Sequence, residues 1–123
     1  SYSNLLQHYW RNIDPLDGQG QFCDRGDSYR PVIFTAGEQQ ATAAQSSAAS
    51  AASELGVSKS KIKVQIRDAV QFWPAEDYHQ DYANNNELRY RYYRFSCGRD
   101  RRLDAVWGER ARSGTAWVTP VVP

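Results

Sequence analysis

The chain has 123 residues and a mass of 14.0 kDa, which fits one domain with a substantial core. Its 15 basic and 14 acidic side chains leave a net charge of +1, which argues against a partner such as nucleic acid held mainly by whole-protein charge. No stretch is apolar enough to cross a bilayer, and the first residues lack the pattern of a signal peptide, so we expect no membrane contact. Two cysteines are too few for a disulfide-rich mini-domain.

The first predicted element is a helix. Between positions 5 and 13, apolar side chains recur at three- and four-residue spacing, as one face of a helix requires. We expect Ser3 to cap its start and Asp14-Pro15 to end it. Residues 17–27 follow, with three glycines and three aspartates, and this composition predicts a long loop of the kind that often carries function.

A strand, a helix and a second strand are predicted next. Residues 29–36 contain VIF, apolar on both alternating faces, which predicts a central strand buried on both sides. The alanine-rich residues 37–55 predict a helix that Gly56 ends. Residues 61–67, KIKVQIR, alternate as in a strand with one wet face. The order implies a crossover unit whose strands are parallel neighbours or lie one strand apart.

The last third has weaker patterns. Pro74 can open a short helix through Ala75–Ala83 that places Glu76 and His79 on one face. Beyond Asn84 the regularity fades, and residues 88–95, LRYRYYRF, alternate arginine and aromatic side chains as a strand does.

Cys23 and Cys97 are the only thiols in the chain. Four arginines lie near Cys97 within residues 94–102, and since cations favour a thiolate, Cys97 should be the more reactive. An inert free cysteine remains an equal alternative. The two cysteines and two histidines show no zinc-site spacing, so we expect no metal.

Two further groups have a functional and a structural reading. Glu76 and His79 have the three-residue offset of di-iron helix bundles, but only one copy is present, so a hydrogen-bonded structural histidine is favoured. The Arg- and Tyr-rich segment 89–102 could stack RNA bases and contact phosphates. Interspersed acids favour instead a segment whose aromatic side chains pack on the core while its arginines are solvated. No phosphate-binding or calcium-binding motif occurs.

Four stretches, taken together and in this order, resemble the methionine sulfoxide reductase A family, the peptide-methionine (S)-S-oxide reductases, over about residues 2–108. They are LLQHYWRNIDP, GQFCDRGDSYRPVIF, FWPAEDYHQDY and YRFSCGRDRRLDAVWG. The resemblance implies an α+β fold: a two-layer sandwich of the ferredoxin-like plait type, with a mixed sheet and a long irregular C-terminal segment. It also implies that residues 1–123 form a single domain, equivalent to the C-terminal portion of the family domain.

The resemblance implies a thiol mechanism. In that family a cysteine in a G-C-F-W motif attacks the sulfoxide sulfur, a glutamate gives a proton to the oxygen, and a sulfenic acid remains on the cysteine. A second cysteine then closes a disulfide, which thioredoxin reduces. These 123 residues contain no G-C-F-W. We therefore expect the N-terminal portion with the attacking cysteine to be absent and this chain alone to be inactive.

Several residues match family positions. Asp24 and Tyr29 match the Asp and Tyr of its D-x-G-x-x-Y-R loop, where the Tyr hydroxyl binds the sulfoxide oxygen and the Asp organises that network. Cys97 stands where the family keeps its resolving cysteine. Glu76 and His79 belong to its A-E-D-Y-H-Q signature near the substrate, and Cys23 replaces a common Asn as a possible accessory thiol.

The resemblance also implies the partners. We expect methionine-(S)-sulfoxide, free or in peptides and proteins, as substrate, and thioredoxin or another dithiol as reductant, with no metal or organic cofactor. We expect a monomer in the cytoplasm, with the periplasm left open. The alternative from another class is a noncatalytic module that uses residues 89–102 to bind RNA or an acidic protein.

Overall fold

The computed structural model describes residues 1–118. It has five α-helices and two small sheets within these residues, an α+β arrangement as the sequence predicts. In chain order the elements are α1 Tyr2–Trp10, β1 Gly20–Gln21, β2 Asp24–Arg25, β3 Val32–Thr35, α2 Glu38–Leu55, β4 Gln65–Asp68, α3 Tyr82–Asn85, α4 Glu87–Ser96 and α5 Arg99–Trp107.

Helix α1 forms where its apolar spacing predicts it and buries Leu6 and Trp10. The cap is Ser1 rather than Ser3, because the Ser1 hydroxyl accepts a hydrogen bond of 3.2 Å from the backbone N–H of Asn4. The backbone leaves the helix at Arg11, shortly before the Asp14-Pro15 pair.

The predicted crossover is confirmed. Strands β3 and β4 pair in parallel, with Ile33 opposite Ile66, and α2 connects them. Helix α2 ends as predicted at Gly56, whose φ of 69° is the left-handed conformation that lets its N–H bond to the carbonyls of Ala52 and Ser53.

Two details of these strands are corrected. Strand β3 is not buried on both sides: Ile33 is buried, but Phe34 is 48% exposed, because within residues 1–118 this sheet has only two strands and α2 packs against one side. Strand β4 begins at Gln65 rather than Lys61, because residues 59–61 form a 3-10 turn and the Lys63 N–H donates to the Pro15 carbonyl instead of to a strand.

The C-terminal third is more regular than predicted. The expected helix over 75–83 is wrong, since residues 77–81 form turns and α3 begins at Tyr82. The strand-like reading of residues 88–95 is also wrong, as is the irregular C-terminal segment over residues 87–107, because α4 and α5 are helices. A helix satisfies its own backbone, and Glu87 in the first turn and Arg94 in the last suit the dipole of α4.

The core lies where α1, α2 and α5 meet the inner face of β3. The small alanine side chains of α2 leave room in the core for the large rings of Trp10 and Trp107. Each indole N–H donates a hydrogen bond of 2.9 Å, from Trp10 to Ser47 Oγ and from Trp107 to the Ile13 carbonyl. The main buried members are Leu6, Trp10, Ile33, Ala44, Ala48, Ala51, Leu103 and Trp107.

A buried ion pair fastens residues 113–118 to this core. The Arg11 guanidinium makes two hydrogen bonds, of 3.0 and 2.7 Å, to the Glu54 carboxylate, and both side chains are almost fully buried. Arg11 also donates to the Thr115 carbonyl and lies 4.5 Å from the ring centre of Trp117. This pair therefore joins α1, α2 and the C-terminal segment.

Candidate active site

A small hairpin positions the first part of the site. Strands β1 and β2 pair antiparallel, with Gln21 opposite Asp24, and Phe22 and Cys23 form the turn between them. A Cβ on Gly20 would approach Arg25 Cα to 2.8 Å, so the hairpin needs glycine there. The Gln21 amide fixes the hairpin further by bonding the backbone N–H and C=O of Asp14, each at 2.8 Å.

The two cysteines of the chain are joined. Cys23, in the hairpin turn, forms a disulfide with Cys97, which ends α4, across a sequence separation of 74 residues and a Cα–Cα distance of 5.2 Å. The structure thus places the predicted resolving cysteine and the possible accessory thiol in one bond. Cys23 is exposed and Cys97 is half-buried.

A tyrosine forms a second link between the same two segments. The Tyr93 hydroxyl, one helical turn before Cys97, donates a hydrogen bond to the Asp24 carboxylate. Partial burial, and next the hydrogen bond to Asp24, raise the pKa of Tyr93 to about 12, so its phenol stays protonated and remains a donor at neutral pH. Asp24 is thus held by α4.

Tyr29 lies at the rim of this cluster. It ends a 3-10 turn over Asp27–Tyr29, and the residue is 52% exposed. An electrostatic interaction with Tyr29 is the smallest of the causes that act on the pKa of Tyr93, so the two side chains lie in the same neighbourhood. Across residues 1–118 the Tyr29 hydroxyl makes no side-chain hydrogen bond, whereas Asp24 is bonded to Tyr93.

Glu76 and His79 form a pair of their own. His79 Nδ1 lies 3.0 Å from a Glu76 carboxylate oxygen, and both side chains are exposed. The backbone N–H of Glu76, and next His79, lower the pKa of the Glu76 carboxyl. The pair lies at a turn rather than on a helix, and within the described chain no hydrogen bond or ion pair joins it to the cysteines.

A cavity of about 300 Å³ opens beside the disulfide. Ion pairs shape its polar wall: Arg102 Nε lies 2.7 Å from Asp14, and Arg25 pairs with Asp17, whose pKa that hydrogen bond lowers. The lining residues are Asp14, Asp17, Phe22, Cys23, Cys97 and Arg102. The disulfide can therefore be reached by a small thiol.

Half of the six arginines in segment 89–102 have acidic partners in the described chain. Arg91 pairs with Glu87 at 2.6 Å, and Arg94 makes a two-bond pair with Asp100 at 2.7 and 2.8 Å. That hydrogen bonding to Asp100 raises the pKa of Arg94, which stays a cation at any ordinary pH. Much of the charge excess of this segment is therefore balanced locally.

Metal-binding clusters and membrane-spanning helices are not found among residues 1–118. In the part of the chain that is described, no cluster of three or more His, Cys, Asp or Glu side chains is placed to hold a metal ion. Over the same residues, none of the helices is both long and apolar enough to span a bilayer.

Sequence reasoning missed Tyr93 as a member of the site. The available signal was its four-residue spacing from Cys97, which in a helix puts both side chains on one face. The strand-like reading of residues 88–95 hid that relationship, and nothing local in the sequence indicates that this face meets Asp24.

Comparison with known proteins gives one consistent family. The family model described as peptide methionine sulfoxide reductase matches residues 1–111. The chain is 45% identical over 116 residues to peptide methionine sulfoxide reductase MsrA 2 of Rhizobium meliloti, covering 94% of this chain and 57% of that protein. It is 50% identical over 107 residues to the MsrA 2 protein of Caulobacter vibrioides, covering 87% and 53%.

A two-part relative matches the same region. The chain is 44% identical over 108 residues to peptide methionine sulfoxide reductase MsrA/MsrB of Vibrio cholerae, covering 88% of this chain and 28% of that protein. The chain thus spans about half the length of the two MsrA 2 relatives and a smaller share of the third. No solved structure gives a significant match.

Proposed function

The chain belongs to the peptide methionine sulfoxide reductase family, and from that premise we propose that it takes part in reducing methionine-(S)-sulfoxide, free or in peptides, to methionine. The observation that carries the proposal is the disulfide between Cys23 and Cys97 beside Asp24. A thiol-based reductase needs a cysteine pair that can close and reopen, next to polar groups that can bind the sulfoxide oxygen.

The proposed reaction divides between two parts of a protein. A cysteine in a G-C-F-W motif outside these 123 residues attacks the sulfoxide sulfur, methionine leaves, and that cysteine keeps the oxygen as a sulfenic acid. The Cys97 thiolate then attacks the sulfenic sulfur, forming a disulfide and releasing hydroxide. A thioredoxin-like dithiol reduces the protein for the next cycle.

Tyr29 and Asp24 are the proposed oxygen-binding residues. Negative charge grows on the sulfoxide oxygen during attack, and a phenol O–H on a rigid ring is a suitable donor to it. Two observations support this: the Tyr29 side chain is open to a ligand, and Tyr93 holds the Asp24 carboxylate in one position. Glu76 and His79 are proposed to line the outer substrate site, where their exposure leaves them free to contact a peptide.

The remaining features follow from the same proposal. We expect no metal or prosthetic group, because sulfur exchange and proton transfer account for every step. We propose a monomer that acts in the cytoplasm, where dithiol reductants are abundant.

We also propose the two-layer, ferredoxin-like sandwich for the whole protein. Phe34 projects from the outer face of β3 and is half exposed, and Phe72 and Trp73, beyond β4, are 83% and 76% exposed. Large apolar side chains that are exposed in one part of a protein are usually covered by another part of it or by a partner. Further strands beside β3 and β4 would cover these three.

The first experiment tests the division of labour. The 123-residue chain, given dithiothreitol and methionine-(S)-sulfoxide, should produce no methionine above a Cys97→Ser control. Turnover that depends on Cys97 or Cys23 would contradict the proposal, because one of these thiols would then be the attacking one.

A second experiment tests the site. Co-expression with a G-C-F-W half from a relative should restore multiple turnover. Tyr29→Phe should then lower kcat by about 10²-fold, the loss typical of one oxyanion donor. Tyr92→Phe, on α4 and 74% exposed, is the matched control and should leave kcat unchanged. Equal rates for the two variants would remove Tyr29 from the site.

The alternative is a module that binds RNA through segment 89–102. Exposed Tyr92 and Phe95 on α4 favour it, while the paired state of Arg91 and Arg94 disfavours it. Binding of single-stranded RNA that weakens by several logs per log of salt, and that Arg91→Gln with Arg94→Gln abolishes, would support this alternative.

A further inference from the structure

Helix α4 carries three large apolar side chains on its solvent side. Leu88, Tyr92 and Phe95 follow one another at four- and three-residue spacing, which places them on one face of the helix. Their exposed fractions are 81%, 74% and 75%. We call these three residues the α4 stripe. Large apolar side chains that are exposed side by side usually mark an interaction surface.

Contacts on the other side of α4 keep the stripe in solvent. Tyr93 and Cys97 lie across the helix from the stripe, because each residue turns the helix by about 100°. The Tyr93 hydroxyl donates to Asp24, and Cys97 is bonded to Cys23. These two links fix the rotation of α4, so the stripe does not turn towards the core.

A cavity of about 180 Å³ lies at the end of the stripe, where α4 meets α5. A cavity of about 150 Å³ is large enough to hold benzene, so this one has room for one apolar or aromatic side chain of a partner. Phe95 is both the last residue of the stripe and part of the cavity wall. The lining residues are Arg91, Arg94, Phe95, Gly98, Asp100 and Arg101.

Two arginines at this cavity can accept a new acidic partner. The Arg101 guanidinium lies 6.0 Å from the ring centre of Phe95, and Arg101 has no carboxylate partner among residues 1–118. Arg91 pairs with Glu87, but the two side chains are 71% and 65% exposed, and such surface pairs are weak. A carboxylate from a partner can therefore bind here without breaking a strong ion pair.

The charge of this surface indicates the class of partner. Residues 87–101 contain five arginines and only two acids, Glu87 and Asp100. A second copy that met this surface with its own α4 would bring positive charge to both sides of the contact. An acidic segment would instead complement it.

The side chains favour a protein over RNA as the acidic partner. Leu88 has no ring on which a base can stack, and the two hydrogen bonds of 2.7 and 2.8 Å to Asp100 keep Arg94 from a phosphate. Aromatic and arginine side chains around a small apolar pocket are instead typical of the centre of a protein–protein interface.

We propose that the α4 stripe and its adjoining cavity dock an acidic protein segment. One apolar or aromatic side chain of the segment enters the cavity beside Phe95, and neighbouring carboxylates pair with Arg91 and Arg101. The surface is small compared with the roughly 1,200 Å² that a stable complex buries, so the contact is reversible. The inference goes beyond the proposed function and does not depend on it, because none of these side chains takes part in the sulfur chemistry.

The test measures fluorescence anisotropy of three labelled probes with the oxidised 123-residue chain. The probes are the acidic peptide EDEFLEDE, its alanine version EDEAAEDE, and oligouridine. We expect EDEFLEDE to bind about tenfold more tightly than EDEAAEDE, whose side chains cannot fill the cavity, and more tightly than oligouridine. The proposal is overturned if EDEFLEDE shows no saturable binding up to about 1 mM, if both peptides bind equally, or if oligouridine binds most tightly.

A charge reversal tests the arginine at the cavity. Arg101→Glu should weaken the binding of EDEFLEDE about tenfold or more, because repulsion replaces attraction. Arg67→Glu makes the same change of net charge at an exposed position on β4 and should change Kd less than twofold. Equal weakening by the two variants would mean that overall charge binds the peptide, against the proposal.

A second pair of variants tests the apolar contact. Phe95→Ala should weaken the binding of EDEFLEDE about tenfold, since it removes part of the cavity wall. Phe72→Ala, at an 83% exposed position beyond β4, is the matched control and should bind as the parent does. Both phenylalanines are exposed, so far-ultraviolet circular dichroism should show the parent fold in both variants. Parent-like binding by Phe95→Ala would contradict the proposal.

Self-association gives the remaining outcome. We expect sedimentation velocity to show the same species for the parent and for Phe95→Ala at every concentration. A dimer of the parent that Phe95→Ala abolishes would make a second copy the occupant of the surface and would overturn the proposal. Because no probe contains a sulfoxide, each of these results is separate from success or failure of the reductase assay.

Discussion

Tyr93 in α4 donates a hydrogen bond to Asp24, the residue next to Cys23, and lies one helical turn before Cys97. The hairpin and the helix are thus joined twice, once by a covalent bond that can be reduced and once by a bond that cannot. In the reduced protein the Tyr93–Asp24 bond is the link expected to keep the two thiols near each other.

Tyr93→Phe should make the disulfide easier to reduce. The hydrogen bond and the disulfide hold the same two segments, so each stabilises the other. Loss of a hydrogen bond worth about 0.5–1.5 kcal/mol should move the reduction potential of the cysteine pair to less negative values by about 10–30 mV. Equilibration with a dithiothreitol redox buffer measures this shift.

Tyr92→Phe is the matched control for that measurement. Tyr92 is the neighbouring residue on α4 and is 74% exposed, so its hydroxyl can be removed without changing the link. If Tyr93→Phe leaves the potential at the Tyr92→Phe value, or makes it more negative, the coupling between hydrogen bond and disulfide is refuted.

Ser47→Ala should lower the unfolding free energy by more than the removal of one hydroxyl group alone would suggest. Ser47 is the hydrogen-bond partner of the buried Trp10 indole, and without it the N–H is left unsatisfied. A buried unsatisfied donor costs about 1–3 kcal/mol of unfolding free energy. Urea unfolding followed by tryptophan fluorescence measures the change.

Ser46→Ala serves as the comparison. Ser46 precedes Ser47 on α2 but is exposed, and Ala is the better helix former, so this variant should be as stable as the parent or slightly more. Equal destabilisation by both variants would show that the Trp10–Ser47 bond is not the cause.

Gly20→Ala should displace the hairpin that carries Cys23. The new Cβ would approach Arg25 Cα to 2.8 Å, and backbone atoms cannot yield as a flexible side chain can. We expect slower closure of the Cys23–Cys97 disulfide on air oxidation, measured as loss of free thiol.

Gln19→Ala is the control for the hairpin. Gln19 is exposed and contributes backbone bonds only, so closure should proceed at the parent rate. A Gly20→Ala chain that also closes at the parent rate would show that the hairpin can adapt, and that its geometry does not control the thiol pair.

The sequence predicts well those elements whose cause is local. The apolar spacing of α1, the alanines of α2 and the stop at Gly56 each act through neighbouring residues, and all are found. Their order also predicts that β3 and β4 are parallel neighbours or lie one strand apart, and the structure pairs them directly.

The elements that were mispredicted depend on distant contacts. Residues 88–95 have neither a clean two-residue nor a clean helical pattern, and they become helical where Arg94 pairs with Asp100 and Tyr93 reaches Asp24 across 69 residues. The two cysteines could be identified from sequence, but their bond could not, since its geometry depends on the same packing.

Glu54→Gln should remove a large part of the stability and change its dependence on acid. Burial alone would raise the pKa of Glu54, but the hydrogen bonds from Arg11 and from the Val118 N–H, together with the charges of Arg11 and Arg110, outweigh it. The pKa of Glu54 therefore lies below the ordinary value for a glutamate. A carboxyl with a depressed pKa stabilises the fold above its unfolded pKa, and this stabilisation is lost as the pH falls through the folded pKa.

The variant leaves the buried Arg11 cation without its counter-charge, which costs about 3–5 kcal/mol at neutral pH. Because glutamine does not titrate, the unfolding free energy of Glu54→Gln should also fall less steeply than that of the parent below pH 4.5. Asp77→Asn, at an exposed turn, should reproduce the parent curve. Urea titrations between pH 3 and 7 measure this dependence. If the unfolding free energies of Glu54→Gln and of the parent fall equally steeply with decreasing pH, Glu54 is not the carboxylate that Arg11 stabilises.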